Sequence, residues 1–226
     1  MKVLNYGSLN VDYVYSVDHI IVGGETQHSS KLEVFSGGKG LNQSIALAKA
    51  GVPVYHAGIV GTDGDILLEA CKEAGVNTKY IRRLPVKGGH TMIQVDKNAQ
   101  NCIILYGGTN QMQTKEFVDE VLADFGEGDY LILQNEINML DYIIDQAYEK
   151  KMKIVMNPSP FDDKLSTCDL SKVYLFLVNE IEGEQITGCK DKDQILDAMA
   201  AKFPNARFVL TLGSDGAVYY LSLIHI

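Results

Sequence analysis

The stretch that decides the fold is Ser36-Gly37-Gly38-Lys39-Gly40-Leu41-Asn42-Gln43, in which three glycines surround one lysine. Glycine has no Cβ, so the backbone there can turn tightly and approach a ligand closely. The Ala-rich run over residues 44–50 is a predicted helix that ends before Gly51 and Pro53. Its unpaired amides and positive dipole end lie at the glycines, where an anion or hydroxyl groups can bind. The alternative is a plain turn that enters a helix, with a solvated lysine.

The composition favours an enzyme of small molecules. The chain has 226 residues, a hydrophobic content of 46% and a formal net charge of −9. Acidic and basic residues are mixed along it, which disfavours a nucleic-acid or anionic-membrane surface. No apolar run approaches membrane-spanning length, and the first residues carry no secretion signal. We therefore expect a cytoplasmic protein with no nucleic-acid partner and no membrane partner.

Apolar strands alternate with amphipathic helices along most of the chain. This pattern is typical of an α/β fold with a mostly parallel central sheet and helices on both faces. In the predicted helix 139–150, for example, Met139, Leu140, Ile143, Ile144 and Ala147 share one face. We predict a single α/β domain over residues 1–226.

Four predicted strands do not follow the alternation. They are residues 13–21, 30–35, 91–95 and 102–106. They indicate a small β-sheet lid built from about residues 12–35 and 88–106, an element that can cover a cleft. The alternative is an ordinary antiparallel extension of the main sheet.

Polar residues collect where the predicted strands end, which is where open α/β sheets bind ligands. Asn10 and Asp12 are two residues apart, so their side chains point the same way in an extended segment. The alternative for this pair is a turn asparagine and a capping aspartate. Further polar groups follow later strands at residues 135–136, 179–182 and 211–216, the last as a Gly-rich loop that could bind phosphate through its amides.

Taken in order, these motifs resemble the ribokinase-like (PfkB) carbohydrate kinase family. The resemblance rests on Gly7-Ser8-Leu9-Asn10-Val11-Asp12, Gly24-Glu25-Thr26, the glycine–lysine stretch, Gly61-Thr62-Asp63, Leu133-Gln134-Asn135-Glu136, Asn157-Pro158-Ser159-Pro160, Asn179-Glu180-Ile181-Glu182 and Thr211-Leu212-Gly213-Ser214-Asp215-Gly216. It covers nearly the whole chain. The Gly-Gly-Lys-Gly-x-Asn-Gln form is more similar to ribokinases than to fructokinases or nucleoside kinases.

The resemblance implies an ATP-dependent sugar kinase acting on a pentose, with ribose as the expected substrate. It implies that the sugar is bound by Asn10, Asp12, Gly38, Lys39, Asn42 and Glu136. It also implies that the nucleotide is bound by Asn179, Thr211, Gly213, Ser214 and Gly216, and that Glu182 holds the water shell of Mg²⁺. The lid would also be the surface of a homodimer, and the full-length protein could require a monovalent cation such as K⁺.

One departure from the family concerns catalysis. The family's Gly-Ala-Gly-Asp motif supplies the base and the anion hole for the transferred phosphoryl group, and it is absent from these 226 residues. We therefore expect that the chain is truncated or misread at its C-terminus, that the base lies beyond Ile226, and that the chain alone is inactive. Residues 221–226 do not resemble the family either.

Two alternatives stay open. The chain could be a non-catalytic sugar- or nucleotide-binding remnant, or another PfkB-type sugar or nucleoside kinase. A nucleoside would need an apolar slot, which Tyr13, Tyr15 and Ile104 could supply. A sugar phosphate would need extra basic groups, but the only adjacent arginines, Arg82 and Arg83, are predicted to lie in a surface loop.

Overall fold

The computed structural model describes residues 1–221. In chain order the strands are Val3–Tyr6 (β1), Asn10–Ser16 (β2), Lys31–Gly37 (β3), Val54–Val60 (β4), Asn77–Arg83 (β5), Gly89–Val95 (β6), Asn101–Tyr106 (β7), Tyr130–Gln134 (β8), Lys153–Asn157 (β9), Leu175–Asn179 (β10), Arg207–Thr211 (β11) and Ala217–Leu221 (β12). The α-helices are Lys39–Lys49 (α1), Asp65–Ala74 (α2), Lys115–Leu122 (α3), Leu140–Glu149 (α4), Glu180–Thr187 (α5) and Lys192–Lys202 (α6).

The chain forms two compact units. The first unit contains Met1–Tyr6 and the chain from Thr114 onward, and the second contains Gly7–Gln113. In the first unit the strand order is β12-β11-β10-β9-β8-β1. All neighbouring pairs there are parallel except β11 with β12. Strands β1, β8 and β9 are largely buried, whereas the edge strand β12 has no buried residue, so the core of this unit lies around β1, β8 and β9.

The second unit contains a parallel pair, β4 with β5, and a separate four-stranded sheet of order β3-β2-β6-β7. In the four-stranded sheet β2 is antiparallel to β3 but parallel to β6. The fold-class prediction of an α/β protein with a mostly parallel sheet and a small second sheet is therefore confirmed. The alternative of an ordinary antiparallel extension is wrong, since these strands form a sheet of their own.

Several predicted boundaries differ from the structure. Arg82 and Arg83 lie on β5 rather than in a surface loop, because β4 supplies a parallel partner that the local pattern does not reveal. Arg83 forms an ion pair with Asp65 there. Met139 is the residue before α4 and has a positive φ of 65°, so it is not on the helix face. β12 was not predicted, and the unmatched tail of residues 222–226 lies outside the described residues.

A buried hydrogen bond joins helix α1 to strand β4. Ser44 Oγ lies 2.7 Å from His56 Nδ1, and both residues are fully buried. Burial lowers the pKa of His56 from 6.5 to about 4, since the charged imidazolium would lose its water. His56 is therefore neutral near pH 7. The helix that begins in the glycine–lysine stretch is thus held by an uncharged imidazole.

We expect the stability of the protein to fall in mild acid because of His56. The unfolded chain binds a proton near pH 6.5 and the folded chain only near pH 4, so this contribution is complete above about pH 6.5 and is lost as the pH falls toward about 4. The loss between about pH 8 and about pH 5 should be roughly 2 kcal/mol. Urea unfolding at both pH values measures this loss in the unsubstituted protein and in His56→Gln. Glutamine is chosen because it can accept a hydrogen bond from Ser44 but does not titrate.

The control for this experiment is His28→Gln, at an exposed position. His28→Gln should keep the full pH dependence of the free energy of unfolding. If His56→Gln showed the same acid loss as the unsubstituted protein, His56 would not be its source.

No helix among residues 1–221 is both long enough and apolar enough to cross a membrane.

Candidate functional site

The predicted sugar-binding residues Asn10 and Asp12 lie on the same face of β2, at its first and third positions. Asn10 is 3% exposed and Asp12 is half-buried. They are therefore strand residues, and the alternative of a turn asparagine and a capping aspartate is wrong. Thr91 on the neighbouring strand β6 donates a hydrogen bond from Oγ1 to Asp12 Oδ1 at 2.6 Å.

Asn110 orients Asn10 and was not singled out from the sequence. Its Nδ2 donates to Asn10 Oδ1 at 2.7 Å, and its Oδ1 accepts from the Leu9 amide at 3.0 Å. Because Asn10 Oδ1 is occupied, its Nδ2 is the side of the amide that can donate to a ligand. The pair thus offers a donor from Asn10 and a carboxylate acceptor from Asp12. The sequence feature that could have pointed to Asn110 is the Gly107-Gly108 pair just before it.

The glycine–lysine stretch lies against the chain that leads into β2. Leu41 N donates to Ser8 O at 3.0 Å, and Gly40 N donates to Ser8 Oγ at 3.2 Å. Gly38 has a φ of 97°, which favours glycine, and it immediately precedes α1. The helix begins at Lys39, earlier than the predicted run over residues 44–50. The structure therefore brings this stretch together with Asn10 and Asp12.

Three further features concern the residues that are predicted to bind the sugar. A Cβ at Gly37 would overlap the Asp12 carboxylate, so only glycine leaves that carboxylate in place. Lys39 is half-buried at the start of α1. Asn42 is exposed one turn later, and its backbone amide donates to Gly38 O at 3.0 Å. Five predicted residues, namely Asn10, Asp12, Gly38, Lys39 and Asn42, thus lie in one region of the second unit.

Asp63, from the motif at residues 61–63, holds the loop that leads into β6. Its Oδ1 accepts from the Gly88 amide at 2.9 Å, and Lys87 Nζ lies 2.7 Å from its Oδ2. Burial raises the pKa of Asp63, but the hydrogen bonds from Lys87 and Gly88 outweigh it and lower that pKa overall. The Asp63 carboxylate therefore stays ionised and stabilises the start of the strand that carries Thr91.

The other predicted site residues lie in the first unit, at the carboxyl ends of its strands. Glu136 follows β8, while Asn179 and Thr211 end β10 and β11. Asn179 and Thr211 are paired neighbours in the sheet. Gly213 and Ser214 begin a single 3-10 turn between β11 and β12, so their amides have no partner within that turn. Gly216 closes the same loop by accepting from the Leu212 amide at 2.8 Å.

Glu182 forms a capping box with Asn179. Its two carboxylate oxygens accept from the Asn179 backbone amide at 3.0 Å and from Asn179 Nδ2 at 3.2 Å. In return, the Glu182 amide donates to Asn179 Oδ1 at 2.8 Å. With both oxygens so engaged and the residue 6% exposed, Glu182 suits a contact to metal-bound water better than direct coordination. Residues 1–221 contain no group of three or more His, Cys, Asp or Glu side chains that could hold a metal ion.

Asn135, beside Glu136, connects two strand-end loops. Its Nδ2 donates to Pro160 O at 2.6 Å and to Asp162 Oδ1 at 2.8 Å. The backbone amide of Asn135 donates to Ser159 O at 3.2 Å. These bonds hold the chain around Glu136 against the loop that follows β9.

The protein is thus an α/β protein whose polar side chains lie at strand ends and at a helix N-terminus. Such groups are suited to binding hydroxyls and anions. The model of the pfkB family carbohydrate kinases matches residues 1–223. The chain belongs to this family.

Named relatives agree with the family assignment. A ribokinase from Staphylococcus aureus (strain COL) is 33% identical over 218 residues, covering 94% of this chain and 70% of that protein. A deoxyribokinase from Salmonella typhi is 27% identical over 228 residues, covering 97% of this chain and 74% of that protein. The crystal structure of a ribokinase from Cryptococcus neoformans in complex with ADP is 28% identical, with a TM-score of 0.80, covering 98% of this chain and 76% of that one.

Proposed function

We propose that the protein is an ATP-dependent kinase that transfers the γ-phosphoryl group to a hydroxyl of ribose, giving ribose 5-phosphate. The observation that carries this proposal is the donor and acceptor pair of Asn10 and Asp12, held in place by Asn110 and Thr91. Membership in the carbohydrate kinase family and the named ribokinase relative support it.

On the sugar side, Asp12 accepts hydrogen bonds from hydroxyls and Asn10 donates one, since vicinal hydroxyls both donate and accept. Gly38, Lys39 and Asn42 hold the other side of the sugar at the start of α1, while the role of Glu136 as an acceptor for a further hydroxyl stays a prediction. Because an ionised acceptor forms stronger hydrogen bonds than a neutral group, Asp12 contributes more to the binding free energy than Asn10.

On the nucleotide side, Asn179, Thr211, Gly213, Ser214 and Gly216 bind the phosphates and ribose of ATP. The amides of Gly213 and Ser214 at the start of the 3-10 turn suit an anion. The related structure in complex with ADP supports nucleotide binding. Glu182 would hold the water shell of Mg²⁺, which would supply positive charge to the phosphates when bound. A K⁺ requirement stays a prediction to which no described residue is assigned.

We also propose that residues 1–226 alone do not catalyse transfer, since they contain no Gly-Ala-Gly-Asp motif. The polypeptide would then bind sugar and nucleotide without turnover, as in the alternative of a binding remnant. The lid role of the four-stranded sheet, the single-domain division and the cytoplasmic location stay predictions.

Sugar binding by this chain tests the substrate. We expect calorimetry to show that ribose binds at least tenfold more tightly than 2-deoxyribose, fructose or adenosine, a difference of about 1.4 kcal/mol. Preference for 2-deoxyribose would favour a deoxyribokinase, in line with the Salmonella relative. Preference for fructose or adenosine would refute the ribose proposal.

The four-stranded sheet supports our proposal of a homodimer. Its edge strand β7 is exposed along its whole length, and Ile103 and Ile104 are 55% and 63% exposed. Exposed apolar side chains on an open sheet edge favour pairing with another chain. We expect sedimentation to show a dimer that Ile104→Lys converts to monomer, whereas Ile181→Lys, at a similarly exposed apolar residue of α5, should leave it dimeric. A monomeric unsubstituted chain would contradict the proposal.

A further inference from the structure

A second candidate binding site lies at the amino ends of β9 and β10, within the first unit. It is a cavity of about 390 Å³. Buried Met152 and Val173 form an apolar part of its lining. The proposed sugar and nucleotide residues of this unit lie at the opposite, carboxyl ends of parallel strands in the same sheet, with Asn179 at the end of β10 among them. Because β9 runs from Lys153 to Asn157, roughly 13 Å of extended chain separates the two ends. The cavity is therefore distinct from the site described above.

The charged residues that line the cavity are all basic, although the protein as a whole is acidic. Its charged lining residues are Lys151, Lys153 and Lys172, with no acidic residue among them, whereas the chain has a net charge of −9. Carboxylates outside the lining pair with two of these lysines. Lys172 pairs with Asp145 at 2.7 Å and Asp169 at 3.6 Å, and Lys151 pairs with Glu127 at 3.5 Å. Within residues 1–221, no carboxylate is within ion-pair distance of Lys153. Lys153 Nζ donates to the Tyr130 hydroxyl at 3.4 Å, which does not neutralise it, so its charge is available to an anion.

Aromatic rings hold the lysine side chains in place. Lys153 Nζ lies 5.1 Å from the ring centre of Tyr130 and 5.3 Å from that of Tyr174. Lys172 Nζ lies 5.6 Å from the ring centre of Tyr148. A cation over an aromatic face is attracted without being neutralised, so the tyrosine rings hold Lys153 in place without supplying an opposing charge. Less side-chain freedom is then lost when a ligand binds.

We propose that this cavity binds a small organic phosphate. Lysine ammonium groups bind phosphate as point charges, whereas bidentate recognition of a carboxylate favours arginine, which is absent from the lining. Met152 and Val173 provide apolar surface for the organic part. The volume falls in the range of small-molecule sites. The proposal does not depend on the kinase function, so each can fail alone.

A single tryptophan at the cavity tests the proposal, because the chain has no tryptophan of its own. Tyr148→Trp places the reporter at the cavity, where Tyr148 is 54% exposed. Titration with phenyl phosphate should give a saturable change in emission. Adding Lys153→Met, which keeps most of the side-chain stem, should weaken binding about tenfold or more.

Two matched variants serve as controls. Lys115→Met, added to the reporter, removes another lysine that lies 5.1 Å from a tyrosine ring centre, and it should leave the affinity unchanged. Tyr106→Trp, at a tyrosine that is 52% exposed in the second unit, should show no saturable response. If the reporter variant does not fold, melting temperature replaces fluorescence as the measurement. The rise in melting temperature that phenyl phosphate causes is then compared between the unsubstituted chain and Lys153→Met.

Four outcomes would overturn the proposal. The first two are the absence of a saturable response and an affinity for phenyl phosphate that Lys153→Met does not change. The third is an equal affinity for inorganic phosphate, which would mean an ion site only. The fourth is an equal affinity for phenol, which would mean an apolar site.

Discussion

A polypeptide of residues 1–226 is expected to consume no ATP in the presence of ribose and Mg²⁺. The resemblance to carbohydrate kinases implies that a Gly-Ala-Gly-Asp motif, which residues 1–226 do not contain, supplies the general base and the amides that stabilise the transferred group. General bases contribute about 10²–10⁴-fold and anion-hole groups about 10²–10³-fold to the rate. Without both, turnover should fall below detection even where sugar and nucleotide bind.

The measurement is a coupled assay of ADP formation, with the Staphylococcus aureus ribokinase at equal concentration as the positive control. Calorimetry on the same preparation shows whether ribose still binds. Ribose-dependent ADP formation by residues 1–226 would contradict the prediction and would require a base among these residues. Failure of ribose to bind would instead contradict the sugar-binding proposal.

Asp12→Asn is expected to weaken ribose binding by roughly 2–4 kcal/mol, because charge-assisted hydrogen bonds from the sugar are replaced by neutral ones. Folding should change little. The amide oxygen of asparagine can still accept from Thr91 Oγ1, which lies 2.6 Å from Asp12 Oδ1. Calorimetry with ribose, and separately with ADP, measures the two affinities.

The matched control is Asp18→Asn, at an aspartate whose side chain is 74% exposed and which follows β2. It should leave both affinities unchanged. Ribose affinity unaffected by Asp12→Asn would remove Asp12 from the site, and an equal loss of ADP affinity would indicate a general effect on the fold.

Local patterns predicted much of the fold and of the candidate site. The spacing of apolar residues in α4 predicted the buried face of Leu140, Ile143, Ile144 and Ala147, because helix periodicity depends on neighbouring residues alone. Likewise, the two-residue spacing of Asn10 and Asp12 predicted a shared direction on an extended strand. The glycine–lysine stretch predicted a helix start, although it did not show that the helix begins as early as Lys39.

Only the tertiary structure decided the contacts between distant parts of the chain. Asn110 orients Asn10 across 100 residues, and Ser44 meets His56 between a helix and a strand. Arg83 lies on a strand because β4 pairs with β5. The lysine cavity likewise forms where the starts of two parallel strands lie side by side. Such contacts depend on how strands pair and helices pack, which the periodicity of one segment does not encode, so the sequence determined the elements and packing determined their partners.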